Sequence, residues 1–230
     1  MRLVLFDIDG TLLNSGGMGR ASMQRALGMI FGSPGNPSYR YDGKTDKQIV
    51  RDVMRLEGHS DEHIDSRMDQ LIGLYLEGLR EGAASGKFNV RPLDGVIEIL
   101  DALEARDDVV LGLLTGNVEQ GARIKLKAAG IDPDRFRINA FGSDHEHRPE
   151  LPAIARRRAG EQLGLDLAGD RLVVIGDTPA DIECGRALGA KAIGVASGHY
   201  TVEQLRGHHP YAVFPSLRDT ARVLDSIINA

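Results

Sequence analysis

Residues 3–11 read LVLFDIDGT, an apolar run that ends in two carboxylates followed by a glycine. Apolar residues on successive positions predict a strand that is buried on both faces of a parallel sheet. Asp7 and Asp9 then lie at its carboxyl end, where open parallel sheets bind their ligands. Because side chains alternate along a strand, both carboxylates point the same way if the strand continues that far. Two such charges are costly unless a cation binds beside them, which disfavours the alternative of a plain solvated turn.

Short apolar runs of the same kind recur after residue 92, where they alternate with longer amphipathic stretches. This alternation is typical of a parallel sheet whose strands are joined by crossover helices. The predicted strands are residues 3–8, 109–114, 172–175, 192–195 and 211–214. The sequence therefore predicts an α/β fold.

Residues 15–88 have a different character, because strand-like runs disappear and apolar residues recur at helical spacing. Glycines lie near both ends of this stretch and predict flexible connections. We therefore expect a catalytic core made of residues 1–14 and 89–230, with an all-helical domain, residues 15–88, inserted into it.

Composition limits the possible partners and the compartment. The chain has 230 residues and a formal net charge of -5, with acidic and basic residues mixed, which argues against strong attraction to nucleic acid or an anionic membrane. Cys184 is the only cysteine, so an intramolecular disulfide is impossible and a cysteine-based zinc site is disfavoured. The first apolar run is short and is broken by Asp7, unlike a signal peptide or a membrane span. We expect a cytoplasmic protein with a small soluble ligand.

A second carboxylate pair follows another apolar run, in residues 173–181, which read VVIGDTPAD. Asp177 and Asp181 are four residues apart and share one helix face if a helix begins there. Alone, Asp181 is equally explained as an acid in the first turn of a helix. Together with the first pair, these acids predict a site for a hard cation that keeps coordination positions free, as Mg²⁺ prefers.

A third polar segment, LLTGN at residues 113–117, also follows an apolar run. The hydroxyl of Thr115, with the backbone N–H groups of Gly116 and Asn117 at a helix start, is a suitable cradle for phosphate. In isolation the same residues are equally typical of an ordinary helix start.

The three motifs, in their order along the chain, resemble those of the haloacid dehalogenase-like hydrolase superfamily, in particular its phosphoglycolate-phosphatase-like members with an inserted helical cap. The resemblance covers essentially the whole chain and implies a Rossmann-like core. It implies that Asp7 is the nucleophile of an aspartyl-phosphate mechanism and Asp9 the general acid and base. It further implies phosphate binding by Thr115 and a Mg²⁺ site formed by Asp7, Asp177 and Asp181, with the backbone carbonyl of Asp9.

One departure from the family pattern concerns the cation that holds the phosphate. Along the chain, the family usually has a lysine, often followed by proline, between the threonine motif and the second pair of acids, whereas residues 147–150 read HRPE here. We expect Arg148 to replace that lysine, because a guanidinium can hold both phosphate and Asp7. The alternative is that Arg156 or Arg157 holds the phosphate, in which case Arg148 is only a loop residue.

The residues 42–46, DGKTD, are the candidate substrate-binding loop of the helical insert. Lys44 and Asp46, beside a flexible glycine, are suited to contact the substrate, as the corresponding region does in related proteins. The alternative is that Thr45 caps the following helix and that Lys44 is solvated.

These expectations describe a magnesium-dependent phosphatase of small phosphorylated metabolites, with 2-phosphoglycolate as one candidate substrate. A sugar phosphomutase would use the same groups, and a phosphonate hydrolase would need a cap lysine such as Lys44 or Lys47. A haloacid dehalogenase is disfavoured because it would not need Asp9 or Asp177. A phosphate-binding protein without catalysis is the alternative outside enzymes, and the sequence leaves the oligomeric state open.

Overall fold

A six-stranded parallel sheet forms the centre of the structure, a computed structural model that describes residues 1–230. In chain order the strands are β1 (Arg2–Phe6), β2 (Leu13–Asn14), β3 (Arg91–Pro92), β4 (Val109–Thr115), β5 (Ile138–Phe141), β6 (Leu172–Gly176), β7 (Lys191–Val195) and β8 (Ala212–Phe214). The order across the sheet is β5-β4-β1-β6-β7-β8, and every neighbouring pair is parallel. The short strands β2 and β3 form a separate antiparallel pair.

Nine α-helices accompany the strands. They are α1 (Met18–Phe31), α2 (Asp46–Leu56), α3 (Asp61–Ala84), α4 (Val96–Glu104), α5 (Glu119–Ala128), α6 (Leu151–Leu163), α7 (Pro179–Cys184), α8 (Val202–Arg206) and α9 (Thr220–Ile228). The first three follow one another without an intervening strand, and we call them the helical insert. No helix combines the length and the apolar character that crossing a membrane requires.

Three apolar clusters stabilise these layers. On β1, Val4 and Phe6 pack into the cluster on one face of the sheet, whereas Leu3 and Leu5 pack into the cluster on the other face. This follows from the period of two along a strand. A third cluster of 15 buried residues lies mainly within the helical insert, so those helices bury much of their apolar surface against one another.

The predicted α/β fold is confirmed, with local corrections. Each predicted strand matches a strand of the sheet, but β1 ends at Phe6 rather than at residue 8, so Asp7 and Asp9 lie in the loop that follows it. The prediction missed β5, because its four residues, INAF, include the polar Asn139 and form no long apolar run. The boundaries of the inserted domain at residues 15 and 88 stay a prediction.

The close approach of β4 and β5 requires glycine at residue 112. A Cβ atom there would lie 2.0 Å from the backbone oxygen of Ile138 and 2.8 Å from Cδ2 of Leu5. We expect Gly112→Ala to lower the free energy of unfolding by at least roughly 1–3 kcal/mol, because these atoms must move apart. The control is Gly73→Ala at an exposed position of α3, where no atom lies within 4 Å of the added Cβ atom and alanine should raise the free energy of unfolding by about 1 kcal/mol. Urea unfolding measures the change in the free energy of unfolding for both variants. Equal changes in Gly112→Ala and Gly73→Ala would contradict the close contact at residue 112.

Candidate active site

The site begins where the three central strands end. Phe6 of β1 lies beside Leu113 of β4 and Ile175 of β6, so these strands end at nearly the same level. The segments that follow them therefore meet above one edge of the sheet. Asp7 and Asp177, which come from two of these segments, are both buried there.

Three carboxylates form a buried cluster at this edge. One oxygen from each of Asp7, Asp177 and Asp181 lies within 4.8 Å of the others. Burial raises the pKa of Asp7 to about 6, although Arg148 opposes the shift. Burial and the two other carboxylates raise the pKa of Asp177 well above its ordinary value. Because the cluster concentrates oxygen donors and negative charge, it is chemically suited to a hard divalent cation.

Arg148 lies against this cluster, buried in a short turn that precedes α6. Its Nη2 atom donates hydrogen bonds to Oδ1 of Asp7 at 3.0 Å, to the backbone oxygen of Leu114 at 3.2 Å and to Asp181. Its Nε atom is buried without a hydrogen-bond partner. The alternative Arg157 is exposed and lies 3.6 Å from Glu161, so Arg148 is the arginine that reaches Asp7.

The expectation that Asp177 and Asp181 share a helix face is wrong. Thr178 caps α7 and Pro179 is its first residue, so Asp177 precedes the helix. Asp177 accepts a hydrogen bond from the Thr11 hydroxyl at 3.3 Å. Asp181 accepts hydrogen bonds from the backbone and hydroxyl of Thr178, at 3.0 and 2.6 Å, in addition to its contact with Arg148. The two acids therefore meet because the loop before α7 turns back, and most of the hydrogen-bonding capacity of Asp181 is already used.

The carboxylate of Asp9 lies apart from the three-acid cluster. Its Oδ2 atom accepts hydrogen bonds from Nδ2 of Asn117 at 2.9 Å and from Nζ of Lys125 at 2.6 Å. Although burial disfavours its charged form, the Lys125 ammonium holds the pKa of Asp9 below its ordinary value. Asp7 and Asp9 thus face different cations, because β1 ends before either residue.

The predicted phosphate cradle is assembled around Thr115. Its hydroxyl oxygen accepts hydrogen bonds from the backbone N–H of Asn117 at 3.4 Å and from the Asn117 side chain at 2.8 Å. Both residues are buried and lie just before α5, beside Asp9. The three motifs singled out in the sequence therefore contribute to one site.

Lys125 is the residue of the site that the sequence analysis missed. It lies on α5, and its Nζ atom donates to Asp9 and, at 2.6 Å, to Oδ1 of Asn117. A signal was present, because Lys125 falls on the helix face of the buried Ala122 and Leu126, where a solvated lysine is not expected.

The 42–46 loop connects the helical insert with the phosphate cradle. The backbone N–H of Asp46 donates to the oxygen of Gly116 at 2.8 Å, and its carboxylate accepts from the N–H of Val118 at 2.8 Å. Burial raises the pKa of Asp46 to about 6, although Lys125 opposes the shift. Asp46 therefore fixes the loop to the core.

The neighbouring residues of this loop have different surroundings. Thr45 caps α2 through Gln48, and its hydroxyl donates to the backbone oxygen of Glu146 at 2.6 Å. Lys44 is half-buried, with its Nζ atom 3.1 Å from Asp52 and 5.0 Å from the ring centre of Tyr39. The capping role is therefore present, and Lys44 is not fully solvated.

A cavity of about 380 Å³ lies between the core and the helical insert. The core contributes Asp7, Asp9, Thr115, Asn117, Lys125, Arg148 and Asp177 to its lining, and the insert contributes Arg20, Met23, Tyr41, Lys44, Asp46, Ile49 and Tyr75. The volume is within the range of sites for small molecules, and the charged lining favours a polar ligand.

Comparison with known proteins shows the family of the chain. The sequence model described as haloacid dehalogenase-like hydrolase matches residues 4–195, most of the chain. The chain belongs to the haloacid dehalogenase-like hydrolase family. The family resemblance predicted from its motifs is therefore confirmed.

Individual relatives of this haloacid dehalogenase-like protein cover nearly its whole length. It is 29% identical over 215 residues to N-acetylmuramic acid 6-phosphate phosphatase from Pseudomonas aeruginosa, covering 90% of this chain and 87% of the relative. It is 26% identical to pyrophosphatase PpaX from Bacillus pumilus, covering 96% and 95%. A crystal structure of a hydrolase from Pseudomonas syringae superposes with a TM-score of 0.75 at 22% identity, covering 99% of both chains. The predicted enzyme class, a phosphatase of this family, is confirmed.

The acid cluster gives a prediction that does not depend on turnover. We expect Mg²⁺ to raise the melting temperature of the wild type by several degrees, because a ligand at 100 times its Kd adds about 2.7 kcal/mol. Asp177→Asn should lose this response, and it should raise the melting temperature without metal, because one of three crowded carboxylates is removed.

Differential scanning fluorimetry with and without Mg²⁺ measures both effects. The control is Asp166→Asn, which neutralises an exposed acid and should keep the wild-type response. The same metal-induced rise in Asp177→Asn and the wild type would exclude Asp177 as a ligand.

Proposed function

We propose that the protein is a magnesium-dependent phosphatase that hydrolyses a small phosphorylated metabolite through an aspartyl phosphate on Asp7. The observation that carries this proposal is the position of Asp7, which is buried in the cavity with one oxygen held by Arg148. Thr115 and the acid cluster lie around it, so a nucleophile, a phosphate cradle and a cation site surround one space.

The proposed reaction has two steps. Asp7 attacks phosphorus in line, the bond between phosphorus and the leaving oxygen breaks, and Asp9, which must first bind a proton because Lys125 lowers its pKa, gives that proton to the leaving oxygen. A water molecule then attacks the aspartyl phosphate and passes a proton to Asp9, which releases inorganic phosphate and restores both carboxyl groups. Thr115, the backbone N–H groups of Gly116 and Asn117, and Arg148 hold the remaining phosphoryl oxygens.

Asp7 and Asp177 are the residues that would hold the magnesium ion. When bound, Mg²⁺ supplies positive charge that neutralises the phosphoryl oxygens. Asp181 is the third member of the cluster, but Thr178 and Arg148 already use its oxygens. We therefore assign Asp181 mainly to holding Arg148 in place.

The size and lining of the cavity support a small substrate. The helical insert covers the catalytic groups and leaves about 380 Å³, which suits a phosphorylated metabolite better than a protein. The names of the relatives include a sugar acid phosphate and pyrophosphate, and the family resemblance adds 2-phosphoglycolate. We propose these three kinds of phosphate compound as the first panel to be screened for phosphate release.

We also propose the cytoplasm as the location of the protein, given the single buried thiol of Cys184.

The nucleophile assignment is tested by Asp7→Asn. We expect turnover to be abolished with the fold retained, because an amide cannot become the phosphoryl acceptor. Phosphate release with the best substrate of the panel measures activity, and circular dichroism measures folding.

The matched control is Asp69→Asn, which changes an exposed acid on α3 in the same way and should leave turnover unchanged. Substantial activity in folded Asp7→Asn, with mass spectrometry excluding deamidation to Asp, would remove Asp7 from its role.

Substrate recognition by the insert is tested by Lys44→Ala. We propose that Lys44 contacts the remote end of the substrate, because it lines the cavity from the insert side. Loss of a charged contact should lower kcat/KM for the preferred metabolite roughly tenfold. An aryl phosphate such as p-nitrophenyl phosphate lacks the remote group, so its kcat/KM should change much less.

Lys47→Ala is the control, because Lys47 is a neighbouring lysine outside the cavity lining. If Lys44→Ala affected both substrates equally, the lysine would belong to the structure of the insert, where it pairs with Asp52.

A further inference from the structure

Lys125 is a buried charge to which the proposed mechanism gives no task. Its side chain is about 5% exposed, and it lines the cavity. Burial of an ammonium group is costly unless its charge is paired and its donors are satisfied. Lys127, two residues later on α5, reaches solvent instead. The Lys125 side chain therefore points into the site because of its position on α5.

The partners of Lys125 are two side chains that line the cavity, those of Asp9 and Asn117. One oxygen of Asp9 accepts from Lys125 Nζ at 2.6 Å and from Asn117 Nδ2 at 2.9 Å. Lys125 also donates to Oδ1 of Asn117 at 2.6 Å, while Asn117 donates to the hydroxyl of Thr115. The three side chains form a closed set of hydrogen bonds, which fixes the Asp9 carboxylate relative to the phosphate cradle.

The helical insert covers this set of hydrogen bonds. A Cβ atom at Gly19 of α1 would lie 3.1 Å from Lys125 Nζ, so glycine lets α1 pack closely over the ammonium group there. Tyr75 and Asp46 of the insert line the same part of the cavity. Solvent is thus kept from Lys125, which strengthens its attraction to Asp9.

We propose that Lys125, with Asn117, is a positioning residue that aims the Asp9 carboxyl group at the leaving oxygen of the substrate. This inference rests on the proposed function, because it assigns a task through the acid and base Asp9. Lys125 acts on proton transfer, whereas Arg148 acts on the nucleophile and the phosphate at the other side of the cavity.

The leaving group provides the discriminating measurement. An alkoxide leaves only with a proton, whereas p-nitrophenolate leaves without one, so a fault in Asp9 positioning affects alkyl phosphates selectively. General acid catalysis contributes roughly 10²–10⁴-fold. We expect Lys125→Met, which keeps much of the side-chain length without the charge, to lower kcat for the best alkyl phosphate of the panel roughly 100-fold. Its kcat for p-nitrophenyl phosphate should fall less than about tenfold, with KM nearly unchanged for both.

The experiment is a double-mutant cycle with Asp9→Asn, in which kcat and KM are measured for both substrates. If Lys125 acts through Asp9, the variant Asp9→Asn/Lys125→Met should be no slower than Asp9→Asn. Lys127→Met removes an exposed lysine from the same helix and should match the wild type. Equal losses on both substrates, or losses that multiply in the double variant, would overturn the proposal.

Circular dichroism is recorded for each variant, because Lys125→Met leaves the Asp9 charge unpaired. If that single variant does not fold, the comparison of Asp9→Asn with Asp9→Asn/Lys125→Met decides, since neither contains the unpaired Asp9 carboxylate; circular dichroism also checks Asp9→Asn, in which the Lys125 ammonium loses this partner. Equal kcat supports the proposal and a lower kcat in the double variant overturns it. A wild type inactive on every phosphate ester would instead refute the proposed function, whereas an active wild type matched by Lys125→Met would refute only this inference.

Discussion

The contact of Arg148 with Asp7 and Asp181 is the interaction on which the rest of the site depends. Asp7, Asp177 and Asp181 place three carboxylates within one small buried volume, and without a cation their mutual repulsion would oppose folding. The guanidinium of Arg148 partly offsets this repulsion from within the protein. Because one guanidinium cannot balance three carboxylates, the cluster remains chemically suited to a divalent cation as well.

The order of the strands explains why this balance forms at one place. β1 lies between β4 and β6, so the segments that follow these three strands lie side by side. Arg148 comes from a different part of the chain, the turn between β5 and α6, and reaches over the end of β4 to contact the Leu114 carbonyl and Asp7. The sheet thus fixes the anionic groups, and a connection outside its centre supplies the cation.

A second electrostatic pair lies across the cavity, where Lys125 contacts Asp9. Asp7 and Asp9 are separated by one residue, yet each contacts a different cation, Arg148 for Asp7 and Lys125 for Asp9. Asp7 has a pKa that burial raises to about 6, whereas Lys125 keeps the pKa of Asp9 below its ordinary value. The helical insert contacts the core close to this second pair, through the hydrogen bonds of Asp46 with Gly116 and Val118.

The sequence by itself determined five of the six strands of the sheet, the helical insert and the acidic and polar motifs at the strand ends, because burial on both faces of a strand and helical periodicity are local patterns. It predicted neither the early end of β1 at Phe6 nor the start of α7 at Pro179, so the condition for Asp177 and Asp181 to share a helix face is not met. The family resemblance offered Arg148 as one of three arginines that could hold Asp7, and the tertiary structure selected it, whereas the pairing of Lys125 with Asp9 was decided by the tertiary structure alone. Ion-pair partners 141 and 116 residues apart are selected by the distance between side chains after folding, which no local pattern in the chain encodes.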